Sequence, residues 1–500
     1  MDQAPPGFGC VIAFRRQLNL SLPAAMTPFT VASSARLLGA ALLLGLSACA
    51  VGPDYARPEI PVSPAFRELT GPYKGSPHLG ANWWAIFKDP ELDALEATAL
   101  KANLDLRAAL ARVGQARALS DIANAGFWPA LSVNPSLTRN RTSDTAGATT
   151  RTQTSYAVPL ELSYELDVWG RVRRLSESAD EATKFSASEF AVVLQTVEAN
   201  VAQNYFNLRG LDTQAAMLTK SLELYQHQVA LVSKQVKAGL IPQTDLLQAM
   251  TQVEATTGQL SEVQRQRINI AHALAVLTGR APAELSIPAK RLTTIVPIVP
   301  AGLPSELLGR RPDVAAAEHQ LIAANADIGQ AKANYYPRLT LTGSAGFSTI
   351  DTSKVVSWES RVWSIGPSLN IPLFQGGKLD ASLEGAKQRY EESLAGYRTA
   401  VLNAFRETED ILNDLSNRAG AAESQARMVA SARETARLVE MQYRSGLTPY
   451  YQLMDAQRTL LSAELAAAQI QNLRLNSTVS LVKAIGGGWN ADDQPKLEAK

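Results

Sequence analysis

Residues 155–171 read Ser-Tyr-Ala-Val-Pro-Leu-Glu-Leu-Ser-Tyr-Glu-Leu-Asp-Val-Trp-Gly-Arg, and the pattern of the chain changes inside this stretch. Apolar side chains fall on every second position of Tyr156–Leu166, which predicts a strand with one apolar and one polar face. Pro159 is a poor residue for a central strand and predicts a bulge or a local break. The stretch from Arg171 to Ala238 contains no proline, so it predicts a helix of about 100 Å at about 1.5 Å per residue.

The same order of patterns occurs twice, at a spacing of 207 or 208 positions. Residues 105–131 align with 313–339, and Gly239-Leu240-Ile241-Pro242 aligns with Gly446-Leu447-Thr448-Pro449. A proline, an aromatic pair and a Gly-Leu-x-Pro turn match in one register, which alanine-rich composition alone does not explain. The chain is therefore predicted to be a tandem duplication. The expected boundaries are a first repeat at 83–281, a linker at 282–309, a second repeat at 310–488 and a C-terminal tail at 489–500.

Each repeat is predicted to contain a helix, two strands, a long helix and a returning helix. The first helix is expected at about 90–126, and the second long helix at Lys378–Ser445. Returning helices are expected to begin at Asp245 and at about Gln452. In the second repeat Pro367 predicts another bulge or break in a strand. The fold class is therefore mainly α with β, with four strands and long helices of coiled-coil character per chain.

The four strands have the length and the aromatic ends of a transmembrane β-wall. No apolar run reaches the roughly 18 residues that a membrane-spanning helix needs, so a crossing would use strands. An open sheet edge in lipid leaves unpaired backbone groups, and four strands are too few to close. Two copies would supply eight strands and three would supply twelve, and the pattern alone does not choose between them. A soluble sheet with one polar face is the alternative interpretation.

The N-terminus has the features of an export signal. The ten residues Leu37–Leu46 are apolar, and Leu46-Ser47-Ala48-Cys49 resembles a bacterial lipobox. We therefore expect residues 1–48 to be a signal peptide with an N-terminal extension, and both Met1 and Met26 are candidate starts. Cys49 is the expected lipidation site, and residues 49–82 would form a lipidated, proline-rich segment. Acyl chains on Cys49 would hold the protein to a membrane leaflet.

Composition excludes several classes of function. The 48 Lys and Arg nearly balance the 47 Asp and Glu, so no broad surface for nucleic acid is predicted. The two cysteines cannot form a disulfide framework or a thiolate metal cluster. The four histidines stand apart in the sequence without any metal-binding spacing. We therefore expect neither catalysis nor a cofactor nor a metal site.

Seven short stretches, in this order along the chain, resemble the TolC/OprM-type outer-membrane factors, specifically the NodT-type efflux lipoproteins. They are residues 51–58 (Val-Gly-Pro-Asp-Tyr-Ala-Arg-Pro), Trp83-Trp84, Tyr164–Arg171, Arg310–Val314, Pro372–Gly377, Leu453–Arg458 and Gly486–Trp489. The resemblance implies a TolC-like homotrimer in the outer membrane, with a 12-stranded β-barrel on a 12-helix α-barrel that extends into the periplasm. It also implies a periplasmic adaptor protein and an inner-membrane pump, most often of the RND class. The protein itself would be a passive exit duct for drugs, toxic compounds or metals.

The resemblance also assigns roles to residues near the turns. Gly239 and Leu240, and Gly446 and Leu447, match hairpin tips that contact the adaptor. The alternative is that each glycine only ends a helix and each leucine makes the usual capping contact. Asp455 and Tyr451 match residues of the closed periplasmic entrance. The alternative for Asp455 is an exposed carboxylate in the first turn of a helix, where the helix dipole favours it.

Two other functions fit parts of the pattern. The outer-membrane component of a protein-secretion system would share the barrel. A lipid-anchored helical scaffold would share the long helices without conducting. Asp245 occupies the position of Gln452 in the other repeat, so the first repeat is not expected to duplicate Asp455.

Overall fold

A computed structural model of the chain describes residues 50–61, 63–69, 73–75, 79–141 and 152–490. Cys49, most of the loop after Arg141 and most of the C-terminal tail lie outside the described residues. The helices are α1 Pro90–Ala102, α2 Leu104–Asn124, α3 Arg171–Lys237, α4 Gln243–Leu277, α5 Pro304–Arg310, α6 Pro312–Ala333, α7 Lys378–Arg444 and α8 Tyr450–Ala484. The strands are β1 Ala130–Val133, β2 Ser136–Arg141, β3 Thr152–Leu166, β4 Arg338–Thr349 and β5 Arg361–Asn370. Across these ranges, every helix falls short of the combined length and apolarity that a membrane span requires.

The two long helices confirm the prediction. Helices α3 and α7 each contain 67 residues, and each follows a glycine with positive φ, at 79° for Gly170 and 81° for Gly377. The returning helices begin at Gln243 and Tyr450, two residues earlier than expected. Because proline fixes φ near the helical value and needs no amide partner, the prolines before these helices allow the earlier start.

The prediction of one helix over 90–126 is wrong, because the chain breaks at Asn103. The Asn103 side chain accepts hydrogen bonds from the backbone N–H of Asp105 at 2.9 Å and of Leu106 at 3.0 Å, so it caps α2. Its Nδ2 donates to the Leu277 carbonyl at 2.9 Å. A short polar side chain that bonds the backbone competes with the helix ladder, and here it ends one helix and starts the next.

In the second repeat a different side chain makes the equivalent hydrogen bond to the end of the returning helix. Arg311 precedes α6 as Asn103 precedes α2, and its Nη1 donates to the Ala484 carbonyl at 3.1 Å. Positions 103 and 311, and positions 277 and 484, are separated by the repeat spacing. The duplication predicted from the sequence is therefore present in the tertiary contacts.

The strands form one antiparallel sheet in which β1 and β2 both pair with β3, followed by β4 and β5. The chain thus has the four predicted strand positions, the first one interrupted at residues 134–135. The break predicted at Pro159 is wrong, since β3 is continuous and pairs Pro159 with Gly346. The interruption lies in the neighbouring strand, where Asn134 N–H still donates to the Pro159 carbonyl at 3.2 Å. The break predicted at Pro367 is also wrong, because Pro367 lies in continuous β5, an end strand of this sheet, where proline is tolerated.

The segment that follows Cys49 lies along the long helices. Val51 N–H donates to the Trp169 carbonyl at 3.0 Å, and Asn325 Nδ2 donates to the Pro53 carbonyl at 3.0 Å. Farther on, the Glu409 carboxylate accepts from two successive backbone N–H groups, at 2.7 and 3.0 Å. Phe66 then enters the main core with 5% of its surface exposed. These bonds fix the start of the described chain at the junction of β3 and α3.

Candidate functional site

The two hairpin turns have the same backbone geometry. Gly239 and Gly446 end the long helices with φ of 70° and 75°. The next N–H groups, of Leu240 and Leu447, donate back to carbonyls five residues earlier, each at 2.9 Å. This is a Schellman cap, in which a residue with positive φ is normally glycine.

The leucines of these caps point into solvent. Leu240 is 72% exposed and Leu447 is 76% exposed. The leucine after such a cap often packs back on the last helical turn. Here both apolar side chains lie almost free at the end of the helices, so they are available to a partner.

The two turns lie side by side. Val232, Ala249 and Tyr450 form a buried cluster that joins α3, α4 and α8 close to the turns. The ring of Tyr443 packs edge-on against Tyr450 with centroids 5.9 Å apart, and its hydroxyl donates to Gln235 Oε1 at 3.1 Å. We call the four residues Gly239, Leu240, Gly446 and Leu447 the tip surface.

Two titratable tyrosines support the tip surface. Burial, with smaller contributions from Tyr443, Tyr225 and Asp245, raises the pKa of Tyr450 to about 12. Burial likewise raises the pKa of Tyr443. Both phenols therefore stay neutral and keep their packing at every physiological pH. Asp245 lies in the first turn of α4, as Gln452 lies in the first turn of α8.

Asp455 and Tyr451 lie one turn apart near the start of α8 and are both exposed. Tyr451 is 55% exposed, and the Asp455 side chain is 61% exposed. Because α8 begins at Tyr450, Asp455 falls in the second turn and not in the first. Both residues line a groove of about 390 Å³ between α7 and α8, together with Thr435 and Val439.

Asp455 has a partner that sequence reasoning missed. Arg458 Nη2 donates to Asp455 Oδ1 at 2.8 Å, with both side chains 61% exposed. The spacing of three residues on a helix was the available signal, since side chains at i and i+3 are neighbours. An exposed pair of this kind contributes little stability, about 0.5 kcal/mol, so Asp455 can leave it at small cost.

The first described residues meet an aromatic pair at the end of the sheet. Trp169 stacks on Tyr336 with centroids 4.8 Å apart and an interplanar angle of 27°. Trp169 Nε1 also donates to the Pro337 carbonyl at 2.8 Å. Val51 is bonded to the same Trp169 through its backbone N–H.

His319, which stands apart in the sequence, contacts a carboxylate in the fold. Its Nδ1 lies 2.7 Å from Glu181 Oε2, across the contact of α6 with α3. Lys184 also binds Glu181, at 2.6 Å. Together these groups lower the pKa of Glu181 although burial opposes them. In the part of the chain that the structure describes, no group of three or more His, Cys, Asp or Glu side chains is placed to hold a metal ion.

Comparison with known proteins gives consistent matches over both halves of the chain. The family model described as outer membrane efflux protein matches residues 95–280 and 303–487. The probable efflux pump outer membrane protein TtgC of Pseudomonas putida is 34% identical over 454 residues, which cover 89% of this chain and 93% of that protein. Outer membrane protein OprJ of Pseudomonas aeruginosa is 34% identical over 459 residues, covering 90% and 95%. The cation efflux system protein CusC of Escherichia coli is 32% identical over 464 residues, covering 91% and 99%.

Solved structures agree with the fold. The outer-membrane channel OprN superposes with a TM-score of 0.84 at 31% identity, covering 88% of this chain and all of that one. CusC superposes with a TM-score of 0.79 at 29% identity, covering 88% and 100%.

Proposed function

This chain belongs to the outer membrane efflux protein family, and on that premise we propose that three copies of it form the exit duct of a tripartite efflux pump. Its role as an outer-membrane efflux channel component follows from the family match over both repeats and from the efflux channels that it resembles along most of its length. The observation that supports the trimeric duct is that one chain combines two 67-residue helices with an open sheet. Within the described residues, each end strand of this sheet has a partner strand on one side only.

The closed duct would be built from strands and helices of three chains. Each chain supplies four strand positions, so three supply the 12 strands of a barrel that leaves no edge in lipid. The α3–α4 and α7–α8 hairpins of each chain would form the wall of a 12-helix tube below it. A helix of 67 residues is about 100 Å long, which is enough to reach deep into the periplasm.

The tip surface is proposed as the contact with a periplasmic adaptor protein. Leu240 and Leu447 supply exposed apolar side chains on two rigid turns, which is the composition of a small docking site. The adaptor would connect the duct to an inner-membrane pump of the RND class. The pump would supply the energy for transport.

The periplasmic entrance is proposed to close around Asp455 and Tyr451. Three copies would place three Asp455 carboxylates near one axis, where they favour cations in the manner of a charged ring. Tyr451, one turn earlier on α8, would supply the bulk that narrows the opening.

Cys49 is proposed as the acylated residue that anchors the chain to the inner leaflet of the outer membrane. Val51, which follows Cys49 by two positions in the sequence, is bonded to Trp169, and Trp169 stacks on Tyr336. Aromatic rings of this kind favour the membrane interface.

The cargo is proposed to be drugs, toxic compounds or metals, with the pump and adaptor selecting it. Relatives are named for toluene, antibiotic and cation efflux, so the shared fold accommodates chemically unlike cargo. This range is consistent with a wide duct and not with one shaped binding pocket.

Purified protein in planar lipid bilayers tests the duct directly. We expect discrete conductance steps, and deletion of the gene is expected to sensitise cells to a panel of small toxic compounds. A protein that never conducts, even as Asp455→Ala, together with unchanged susceptibility, would favour a non-conducting scaffold. Conductance with a specific loss of protein export would favour a secretion channel.

A further inference from the structure

A crevice of about 290 Å³ opens where the sheet meets the long helices. It is lined by residues from the ends of β3 and α6, from the start of β4, from the segment after β5 and from the starts of α3 and α7. Its cationic side chains are Arg171, Arg338 and Lys378, and its carboxylates are Glu165 and Asp167. The crevice shares no residue with the tip surface or with the proposed entrance.

The charged strand residues of the crevice lie on the polar face of the sheet. Glu165 pairs with Thr340, and Arg338 pairs with Asn370. Residues that pair directly, and residues two apart along one strand, point to the same side of a sheet. The opposite side carries Leu166, Leu339 and Leu369. A barrel built from this sheet would therefore turn Glu165 and Arg338 toward its water-filled interior.

Both carboxylates of the crevice are bonded to groups of the first repeat. Arg171 Nε and Nη2 donate to the two oxygens of Glu165, each at 2.7 Å. Asp167 accepts from the backbone N–H groups of Val172 and Arg173, each at 2.9 Å. Arg173 Nε also donates to Asp167, at 3.2 Å. The negative charge of the crevice is therefore already compensated.

The second repeat keeps the cation of this arrangement and loses both carboxylates. At the repeat spacing of 207 positions the counterparts are Lys378 for Arg171, Pro372 for Glu165 and Phe374 for Asp167. Within the described chain, the exposed Lys378 side chain has no hydrogen-bond or ion-pair partner. Arg338 Nε lies 3.9 Å from Glu165, which is beyond hydrogen-bonding distance. Two cations of the crevice are thus left without a hydrogen-bonded carboxylate among the described residues.

The rest of the lining suits an organic anion. Neutral polar and apolar side chains surround the two cations, among them Asn370, Ser382, Pro372 and Leu379. A few polar groups in a mainly apolar cleft can fix the orientation of a small ligand. We propose that this crevice binds an organic anion, with its charged group held by Lys378 and Arg338 and its apolar body against Pro372 and Leu379. Its place on the exit path rests on the proposed function, whereas the binding itself does not.

Thermal unfolding of the purified particle in detergent tests the binding without requiring conductance. The probe is benzenesulfonate, and its neutral analogue benzenesulfonamide is the ligand control. Because a ligand that binds only the folded state raises the melting temperature, benzenesulfonate should raise it and benzenesulfonamide should not. If both compounds shift the wild-type melting temperature equally, or neither does, the proposed site is wrong.

Removal of the unpaired cation should weaken this binding. Lys378→Gln is expected to raise the benzenesulfonate concentration needed for half of the shift by about tenfold, because a hydrogen bond between charged groups is lost. The matched control is Lys387→Gln, nine residues later on α7 and so on the opposite face of the helix. This control should respond as wild type does, and an equal response of both variants would contradict the proposal.

Restoring the lost carboxylate gives a second, independent comparison. Pro372→Glu places an acid at the counterpart of Glu165, six residues before Lys378 as Glu165 is six residues before Arg171. The new carboxylate should pair with Lys378 and weaken benzenesulfonate binding as Lys378→Gln does. Pro372→Gln has nearly the same size without the charge and should keep the binding. Equal affinities of these two variants would refute a site that depends on a free Lys378.

Conductance measurements separate this site from the duct. In planar bilayers Lys378→Gln should raise the preference for K⁺ over Cl⁻ and Lys387→Gln should not, because only Lys378 would face the interior. An unchanged preference in a Lys378→Gln channel that has lost binding would refute the placement on the exit path. A particle that binds benzenesulfonate as expected and never conducts would refute the duct and leave the site intact. A conducting particle that does not distinguish the two ligands would refute the site and leave the duct intact.

Discussion

The Glu96 side chain lies in the core with no exposed surface and with no hydrogen-bond partner for either oxygen. Burial, followed by the nearby carboxylates of Glu198 and Asp93, raises its pKa to about 10. Burial also raises the pKa of Glu198 to about 7, although Trp83 Nε1 donates to Glu198 at 2.9 Å and favours its charged form. Glu96 therefore holds a proton at neutral pH in the folded protein.

This proton makes stability depend on pH in a defined direction. The unfolded chain releases it near the ordinary pKa of about 4.3, whereas the folded chain releases it only near pH 10. Stability conferred by the neutral carboxyl is therefore lost progressively as pH rises across this window. We predict that Glu96→Gln raises the free energy of unfolding at pH 8–9 by on the order of 1–3 kcal/mol, and with it the melting temperature. At pH 5 the substitution should have little effect.

Thermal unfolding in detergent between pH 5 and 9 measures this effect. Glu254→Gln, an exposed position on α4, is the matched control and should leave the profile unchanged. Equal profiles for wild type and Glu96→Gln would show that Glu96 is not a buried neutral acid.

At the scale of elements, a buried ionic network fastens the linker to two helices. Arg209 on α3 is 2% exposed and binds Glu91 and Asp212, the latter at 2.8 Å, and it donates to the Pro288 carbonyl at 2.8 Å. Arg267 on α4 binds Asp212 at 2.5 Å and donates to the Ile287 carbonyl at 2.7 Å. The network thus contacts the linker at two of its backbone carbonyls, those of Ile287 and Pro288.

Removing one member of this network is predicted to be costly. Arg209→Met leaves the buried carboxylate of Asp212 with one partner fewer and should destabilise the protein by about 3–5 kcal/mol. The control is Arg265→Met, which breaks an exposed pair with Glu262 and should leave stability nearly unchanged. Thermal or denaturant unfolding of both variants measures the two losses. Equal, small losses for both variants would show that the buried network is dispensable for stability.

The Gly-Leu turns allow stability and docking to be separated. Leu240→Glu with Leu447→Glu should leave the melting temperature and the single-channel conductance unchanged, because both side chains lie in solvent. The same variant should abolish efflux, since a charge on the tip surface opposes apolar docking to the adaptor. Ile295→Glu, 85% exposed in the linker, is the control that should retain efflux. Normal drug resistance in the double variant would exclude the tip surface as the docking site.

At the scale of the whole molecule, the proposed placement of Asp455 around the axis of a trimer predicts an ion preference. Asp455→Asn removes three carboxylates from the proposed entrance, so the preference of the channel for K⁺ over Cl⁻ should fall severalfold. Asp245→Asn at the start of α4 is the control, because its side chain is half-buried beside the tyrosine pair. Reversal potentials in a KCl gradient measure the preference, and an unchanged value for Asp455→Asn would place Asp455 away from the ion path.

The elements that could be predicted from the sequence are those whose ends are set by nearby glycine and proline residues. The long helices lie between Gly170 and Gly239 and between Gly377 and Gly446, and no proline interrupts them, so their ends were predicted to within a residue. Asn103 was missed because the alanine-rich sequence around it reads as continuous helix. Pro159 was misread because its carbonyl and its pairing with Gly346 depend on neighbouring strands.

The sequence by itself determined the duplication, the helix lengths and the four strand positions, because periodicity, glycine and proline act over a few residues. Tertiary structure alone decided that Glu96 is fully buried and that Arg209 binds the linker. Burial and pairing of this kind depend on residues brought together from distant parts of the chain, which no local pattern records.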